Sequence, residues 1–513
     1  MESKTSPDQI IHELGGCGRY QIRMNVIVHL IKTIVCWSAS SMVIISATPN
    51  WWCEDDVVLN ELNMTACSSI ENGSEVIMCP LKSCFAVNDT KCSDFAFASG
   101  MNTIVSEFEL VCGKAYIPST VMSLQVAGQL VGNIIAGQIA DLIGRKYPLF
   151  ASIAIILVFN LIGYFATNWI IFSIARFFIG FGSGFFLSTQ YSLLSEFSLA
   201  KWRVWIIGFP SWPIEACLFA LCAWLVPDWR YIHLIIAIMC VPCLLAWCVI
   251  PESFRWFIAH DKPDKAEEII KQVAAYNKRE LTDIAHHLEK PKDTKDRKYT
   301  FVDLLKSRKL IIITLLSALN WTGLGLVSYG IGFGVQALSG NLYFNFFLFS
   351  LVGIPSKAIA LWLQNRFGRR GTIIMCYFCV AIGGFVVGIV QTIDAPNKDA
   401  LTNAFALVAN IGVSTAWGPV QTMTIEVYPT VVRTIGFGSL SVMARVGAMI
   451  GPQLVYLNMY VAGLLYYVCG AVAVLCIIGS LGLPETMNSN LNDKITEENK
   501  NLTSEVNHKN VVV

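Results

Sequence analysis

Apolar runs of roughly 20 residues, the length that crosses a bilayer core, recur along this chain between short polar turns. We read twelve, near 22–47, 115–139, 147–167, 169–195, 204–226, 230–250, 310–336, 341–364, 371–392, 400–424, 434–456 and 459–482. The pattern predicts an all-α membrane protein with twelve transmembrane helices, and an even number puts both termini on one side. The first run is too long for the apolar stretch of a cleaved signal peptide and follows a polar start, so it is expected to stay as a helix. Hydrophilic stretches divide the runs into an N-terminus at 1–21, a six-helix half at 22–250, a linker at 251–309, a second half at 310–486 and a tail at 487–513. Within the linker, Ala, Ile and Val fall at helical spacing over 264–289, which predicts an amphipathic helix beneath the bundle. The tail is polar and reads as disordered.

Charge sets the orientation. The sequence is 54% hydrophobic and 14% charged, where a soluble domain has about 25% charged residues. A net charge of +1 gives no basis for a nucleic-acid partner. Arg145, Lys146, Lys201, Arg203, Arg366, Arg369, Arg370 and Arg433 all fall in turns on one side, as does the basic linker. Positive residues mark the cytoplasmic side, so both termini are expected there. The opposite side carries the long loop 48–113, rich in Asp and Glu. This loop holds Cys53, Cys67, Cys79, Cys84, Cys92 and Cys112, an even set that reads as up to three disulfides of open connectivity in an oxidising compartment. It also holds glycosylation sequons at Asn63, Asn72 and Asn88. The sequons at Asn320 and Asn501 are read as chance, one intramembrane and one cytoplasmic.

Three landmarks repeat in the same order. Asp141-Leu-Ile-Gly-Arg-Lys recurs as Asn365-Arg-Phe-Gly-Arg-Arg, 224 residues on; Glu196 and Arg203 recur as Glu426 and Arg433, 230 on; Pro251-Glu-Ser recurs as Pro484-Glu-Thr, 233 on. Each lies at the basic end of an equivalent run, which predicts two pseudo-symmetric halves with a solute site between them near the midplane. Asp141, Arg145, Glu196, Arg203, Glu252, Arg255, Arg369, Arg370, Glu426 and Arg433 are candidates for a charge network that pairs in one conformation and separates in another. The alternative is topological anchoring. The seven histidines are scattered, and neither a metal-ligand spacing, a nucleophile elbow nor a P-loop occurs. The sequence therefore points to no enzyme, no metal, no cofactor and no direct use of ATP.

The chain resembles the major facilitator superfamily, and within it the organic cation, anion and carnitine transporters of solute carrier family 22. The two G-R-K/G-R-R loops, the cysteine-rich outer loop, P-E-S-F-R-W at Pro251–Trp256 and E-V-Y-P-T-V-V-R at Glu426–Arg433 carry the resemblance. Two departures occur: Phe254 stands where the family usually has Pro, and Asn365 lacks the acid of Asp141. The resemblance implies alternating-access transport of small organic ions at the plasma membrane, with a counter-transported ion or dicarboxylate as a possible second solute.

Ionisable residues deep in spans usually face a cavity and mark function. Arg445, Lys357, Lys32, Glu215 and Arg176 are such residues. By the resemblance, cation carriers have an acid at Arg445 and a Glu at Gly353, anion and carnitine carriers have Arg at Arg445, and anion carriers have Lys at Lys357. The substrate class expected is thus an organic anion, with a carnitine-like zwitterion or an organic cation as alternatives, and a channel or non-transporting receptor less favoured. Arg445 and Lys357 could instead serve internal ion pairs, with Glu215 or Glu196. Lys32, beside His29, could snorkel to the cytoplasmic end. Glu215 could hold an ammonium group, carry a proton or partner Arg445. Trp212, Trp321, Tyr329 and Trp417 are candidates to stack on a flat organic body.

Overall fold

The computed structural model describes residues 7–53, 84–85, 91–98, 100–199, 202, 209–279, 308–393, 397–428 and 432–487. Its membrane helices, numbered here as spans 1 to 12, are Arg19–Ile45, Ile117–Ile143, Lys146–Tyr164, Trp169–Glu196, Ser211–Leu225, Trp229–Leu245, Arg308–Gly334, Leu342–Arg366, Gly368–Thr392, Lys398–Val427, Arg433–Leu457 and Leu464–Leu481. Among the described residues, eleven helical segments are long and apolar enough to cross a membrane; span 5, a shorter apolar helix, completes the set of twelve. It begins seven residues later than the sequence suggested, after Pro210.

Local chemistry sets the ends. Side-chain oxygens of Asn168, Asp228 and Asn341 accept from the first free N–H groups of spans 4, 6 and 8, the usual role of a helix N-cap. Span 2 runs past its expected end, so Asp141 lies in its last turn. It stops at Gly144, whose φ of 104° favours glycine. Gly368, with φ 80°, opens span 9 in the equivalent place.

Span 2 packs along span 4 and span 7 along span 11, while spans 2 and 11, and spans 5 and 8, meet between the halves. Spans 7 and 11 are in backbone contact: a Cβ on Gly325 would strike the Ala444 carbonyl, and one on Gly447 the Thr322 carbonyl. Small residues permit such approach in lipid, where van der Waals packing drives helix association. This contact brings Arg445 and Tyr329 onto one surface.

At the face opposite the basic loops, polar clasps join the halves. Gln336 Nε2 donates to Val43 O at 2.7 Å and to Ser46 Oγ at 3.0 Å, meeting the carbonyls that end span 1. Ser123 Oγ donates to Met449 O at 2.7 Å and accepts from Gln453 Nε2 at 3.0 Å. The loop on this face pairs Trp51–Cys53 with Phe95–Phe97 as a two-stranded antiparallel sheet. Disulfides join Cys53 to Cys92 and Cys84 to Cys112. Glu107 seats the loop on span 6, accepting from Trp229 Nε1 at 2.6 Å and pairing with Arg230. Cys67, Cys79 and the sequons at Asn63, Asn72 and Asn88 lie outside the described residues.

Two short elements lie under the first half. Pro263–Asn277 is the expected amphipathic helix, with Ile269, Ile270 and Val273 buried; it ends at Lys278, whose φ is 56°, rather than at 289. Pro7–Glu13 is an additional helix within the segment read as a polar terminus. Ile10, Ile11 and Leu14 are buried there, and Asn277 Nδ2 donates to Leu14 O.

Candidate substrate site and charge relays

A cavity of about 190 Å³ lies between the halves. Ser40 of span 1 and Trp212, Pro213 and Ala216 of span 5 line one side; Phe349 and Gly353 of span 8 are among the residues on the other. Glu215, beside Ala216, is 5% exposed. Its Oε1 stands 3.7 Å from Lys32 Nζ, and Lys32, 4% exposed, also hydrogen-bonds Ser211 Oγ. The Trp212 ring centroid lies 6.0 Å from that ammonium. Lys32 is thus held inside the first half and does not snorkel, and Glu215 pairs with it rather than with Arg445. At an effective dielectric near 20, such a pair attracts by about 4 kcal/mol, which offsets part of the cost of burying both charges.

Arg445 is half-buried in span 11. Its Nη1 donates to Tyr329 Oη at 2.9 Å and to Gln129 Oε1 at 3.2 Å. Tyr329 Oη also donates to Gln129 Oε1, at 3.3 Å, so this oxygen of the first half receives both groups of the second. Nε and Nη2 of Arg445 have no partner among the described residues and leave an open fork of donors. Lys357 is one turn beyond Gly353 and makes no ion pair among the described residues, but it lies within electrostatic reach of Lys32. Tyr191 of span 4 connects the two regions: it is 41% exposed and lies within electrostatic reach of both Glu215 and Arg445. A ring pointing out to lipid would not feel both groups. Trp417 Nε1 donates to Ser328 Oγ, next to Tyr329, at 3.0 Å.

Of the candidate substrate residues Trp212 lines the cavity itself; Lys32, Glu215, Arg445, Lys357, Tyr329 and Trp417 do not form its wall, and further candidates lie inside single halves. Arg176 is fully buried within the first half, donating to Ser38 O, Ser41 Oγ and His233 Nε2. It fastens spans 1, 4 and 6. Trp321 is buried and donates to Thr424 Oγ1 at 2.9 Å. His29 packs on Phe209.

On the basic face the repeat takes physical form. Arg145 Nε meets Glu196 Oε1 and Nη2 meets Asp141 Oδ1, both at 2.9 Å, and Nη1 donates to Ala140 O at 2.7 Å. In the second half Arg369 Nε and Nη2 grip Glu426 at 3.0 Å, and Nη1 donates to Gln364 O at 3.1 Å. The backbone N–H groups of Arg145 and Lys146 donate to the two oxygens of Glu252, at 2.7 and 3.1 Å. Those of Arg369 and Arg370 donate to Glu485 at 2.8 and 3.0 Å. Each carboxylate therefore sits at a helix N-terminus, where the dipole favours it. Partial burial would raise the Glu485 carboxyl, but backbone N–H groups, including those of Arg369, Met487 and Arg370, outweigh that and hold it below its ordinary range. Arg255 Nε donates to Glu196 O at 3.0 Å. Arg433 opens span 11, and Arg203 lies outside the described residues. Each relay is contained within one half.

Sequence reading passed over Gln129, Tyr191 and Glu485. Glu485 was within reach, because the Pro484-Glu-Thr landmark contains it. Gln129 and Tyr191 carry no charge, and nothing in the sequence separates them from ordinary polar residues of a span.

Two matching six-helix halves around a central cavity define a membrane carrier. The family model described as "Sugar (and other) transporter" matches residues 86–497. Curated relatives include an organic cation transporter protein of Drosophila melanogaster, 31% identical over 80% of this chain and 77% of its own. Another is organic cation/carnitine transporter 2 of Rattus norvegicus, 30% identical over 77% and 72%. Among solved structures, the inward-open xylose transporter of E. coli superposes with a TM-score of 0.61 at 14% identity, over 92% of this chain and 98% of that one. The chain belongs to the major facilitator superfamily of transporters, in the solute carrier 22 group.

Proposed function

We propose that the chain carries small organic anions across the plasma membrane by alternating access, with both termini in the cytoplasm. The observation that supports this most is the open donor fork of Arg445, which has no carboxylate partner among the described residues. A guanidinium presents two parallel N–H groups to a carboxylate or sulfonate. Lys357 adds a second cation without an ion pair among the described residues, and Gly353 puts no acid on the cavity wall. The acid near the cavity, Glu215, is already balanced by Lys32. Trp212 at the cavity and Tyr329 against Arg445 offer aromatic surface to an organic body. The polar clasps at Gln336 and Gln453 close the outer face in this state, so solute exchanges through the basic face. The intra-half relays keep each half rigid as it rocks.

A carnitine-like zwitterion is the second reading. Glu215 Oε2 has no hydrogen-bond partner among the described residues and could take an ammonium group, and relatives bear carnitine in their names. Three probes sharing one aryl body decide: benzylsulfonate, phenylalanine betaine and benzyltrimethylammonium. In transfected cells, saturable uptake of the sulfonate is expected to exceed that of the other two by at least about tenfold, a selectivity of about 1.4 kcal/mol. Preferential uptake of the betaine would favour the second reading. Preferential uptake of the quaternary ammonium would refute both.

A further inference from the structure

The buried ion pair beside the cavity is loosely made. Lys32 Nζ stands 3.7 Å from Oε1 of Glu215, while Oε2 is buried without a hydrogen-bond partner among the described residues. A buried carboxylate oxygen left unsatisfied is costly, so the pair is poised to be remade rather than sealed. Lys32 also lies within electrostatic reach of Lys357, a cation on span 8 of the opposite half that makes no ion pair among the described residues. Two like charges of opposite halves within electrostatic reach of each other form a place for an anion, which would relieve their repulsion.

We propose that Glu215 is a proton site that loads when a bound anion draws Lys32 towards Lys357, so that each anion travels with one proton. This rests on the organic-anion reading above. The groups facing Glu215 are Lys32 and Cys36 on span 1, Ser211 on its own span and Tyr191 on span 4. None of them is a second carboxylic acid that would compete for the proton, and among the described residues Lys32 is the one cation in contact. Once the ammonium turns to the anion, the carboxylate is left buried with no counter-charge. It takes a proton from the water that admitted the solute. The loaded site then holds Lys32 and Lys357 as cations, one anion and a neutral Glu215. When the anion leaves on the far side, Lys32 returns to the carboxylate and the proton is released there. A monovalent anion and one proton cross together, with no net charge moved.

Proteoliposomes containing the full chain test this with benzylsulfonate, which stays ionised throughout the pH range used, so permeation of a neutral acid cannot imitate coupling. With the interior more alkaline, wild-type vesicles are expected to accumulate the sulfonate about tenfold per pH unit of gradient. A proton ionophore should collapse this, and an imposed voltage should leave it unchanged. Glu215→Gln is expected to settle at a ratio of one whatever the gradient, a readout that does not depend on how much of the variant is active. Wild-type uptake that equilibrates at a ratio of one under a gradient overturns the coupling and leaves the anion reading standing. Accumulation that persists in Glu215→Gln overturns the assignment to this residue. Absence of sulfonate uptake in wild type overturns both.

Discussion

Arg445→Glu is expected to abolish benzylsulfonate uptake while leaving the protein at the cell surface. The guanidinium is half-buried and held by two neutral groups, Tyr329 and Gln129. Removing it therefore strands no carboxylate, so the fold has little to lose. Transport has much more to lose, because the substituted acid repels an anion at the point where the fork received it. Arg445→Lys keeps the charge but not the planar fork and should retain a minor share of uptake, about a tenth or less if one charge-assisted hydrogen bond is lost. Tyr329→Phe, which removes one of the two groups that aim the guanidinium, should raise KM more than it lowers the maximal rate. Surface biotinylation alongside initial-rate uptake separates these effects from loss of protein. Anion uptake by Arg445→Glu at wild-type surface levels would end the substrate assignment.

The second large effect concerns the relays and turns on burial. Glu252 and Glu485 make the same pair of contacts with backbone N–H groups at the starts of spans 3 and 9. Glu252 is 8% exposed, whereas Glu485 faces solvent. Water can replace the exposed carboxylate but not the buried one. Glu252→Ala is therefore expected to destabilise by about 2–4 kcal/mol, the range for losing charge-assisted bonds to buried donors. Glu485→Ala should cost a small fraction of that. Thermal unfolding in detergent measures both; equal shifts would contradict the argument from burial. Acidification offers a check on sign. The Glu485 carboxyl lies below its ordinary value, so its stabilising effect is present at neutral pH and is lost as pH falls through that lowered value. Glu485→Ala should then narrow its gap to wild type as the medium is acidified.

The architecture was legible because lipid imposes a simple code. Every backbone polar group must be satisfied within the membrane, so spanning segments are helices of predictable length, and the charge landmarks recur at near-constant spacing. Pro251-Glu-Ser and Pro484-Glu-Thr announced two relays that share their main bonds, from Arg145 with Ala140 O to Arg369 with Gln364 O, and differ where Asp141 pairs with Arg145 and, among the described residues, Asn365 does not pair with Arg369. The interior of each half was less legible. Arg176 and Lys32 look alike in sequence, each a lone cation in an apolar run, yet one is fastened within its own half by Ser38, Ser41 and His233 while the other pairs with Glu215 near the cavity. Helical rotation and the identity of the packed neighbour decide this, and neither has a sequence signature in a helix buried on most sides. The short helix Pro7–Glu13 was missed for a different reason: its apolar set is three residues, Ile10, Ile11 and Leu14, too few to stand out from a polar segment.

The most direct test is an electron cryo-microscopy structure of the purified carrier with benzylsulfonate bound. The sulfonate oxygens should lie within hydrogen-bond distance of Arg445 Nε and Nη2, with the aryl body against Tyr329 or Trp417 and Lys357 turned to the same ligand. A sulfonate bound elsewhere, with the Arg445 fork closed on a protein carboxylate, would contradict the account.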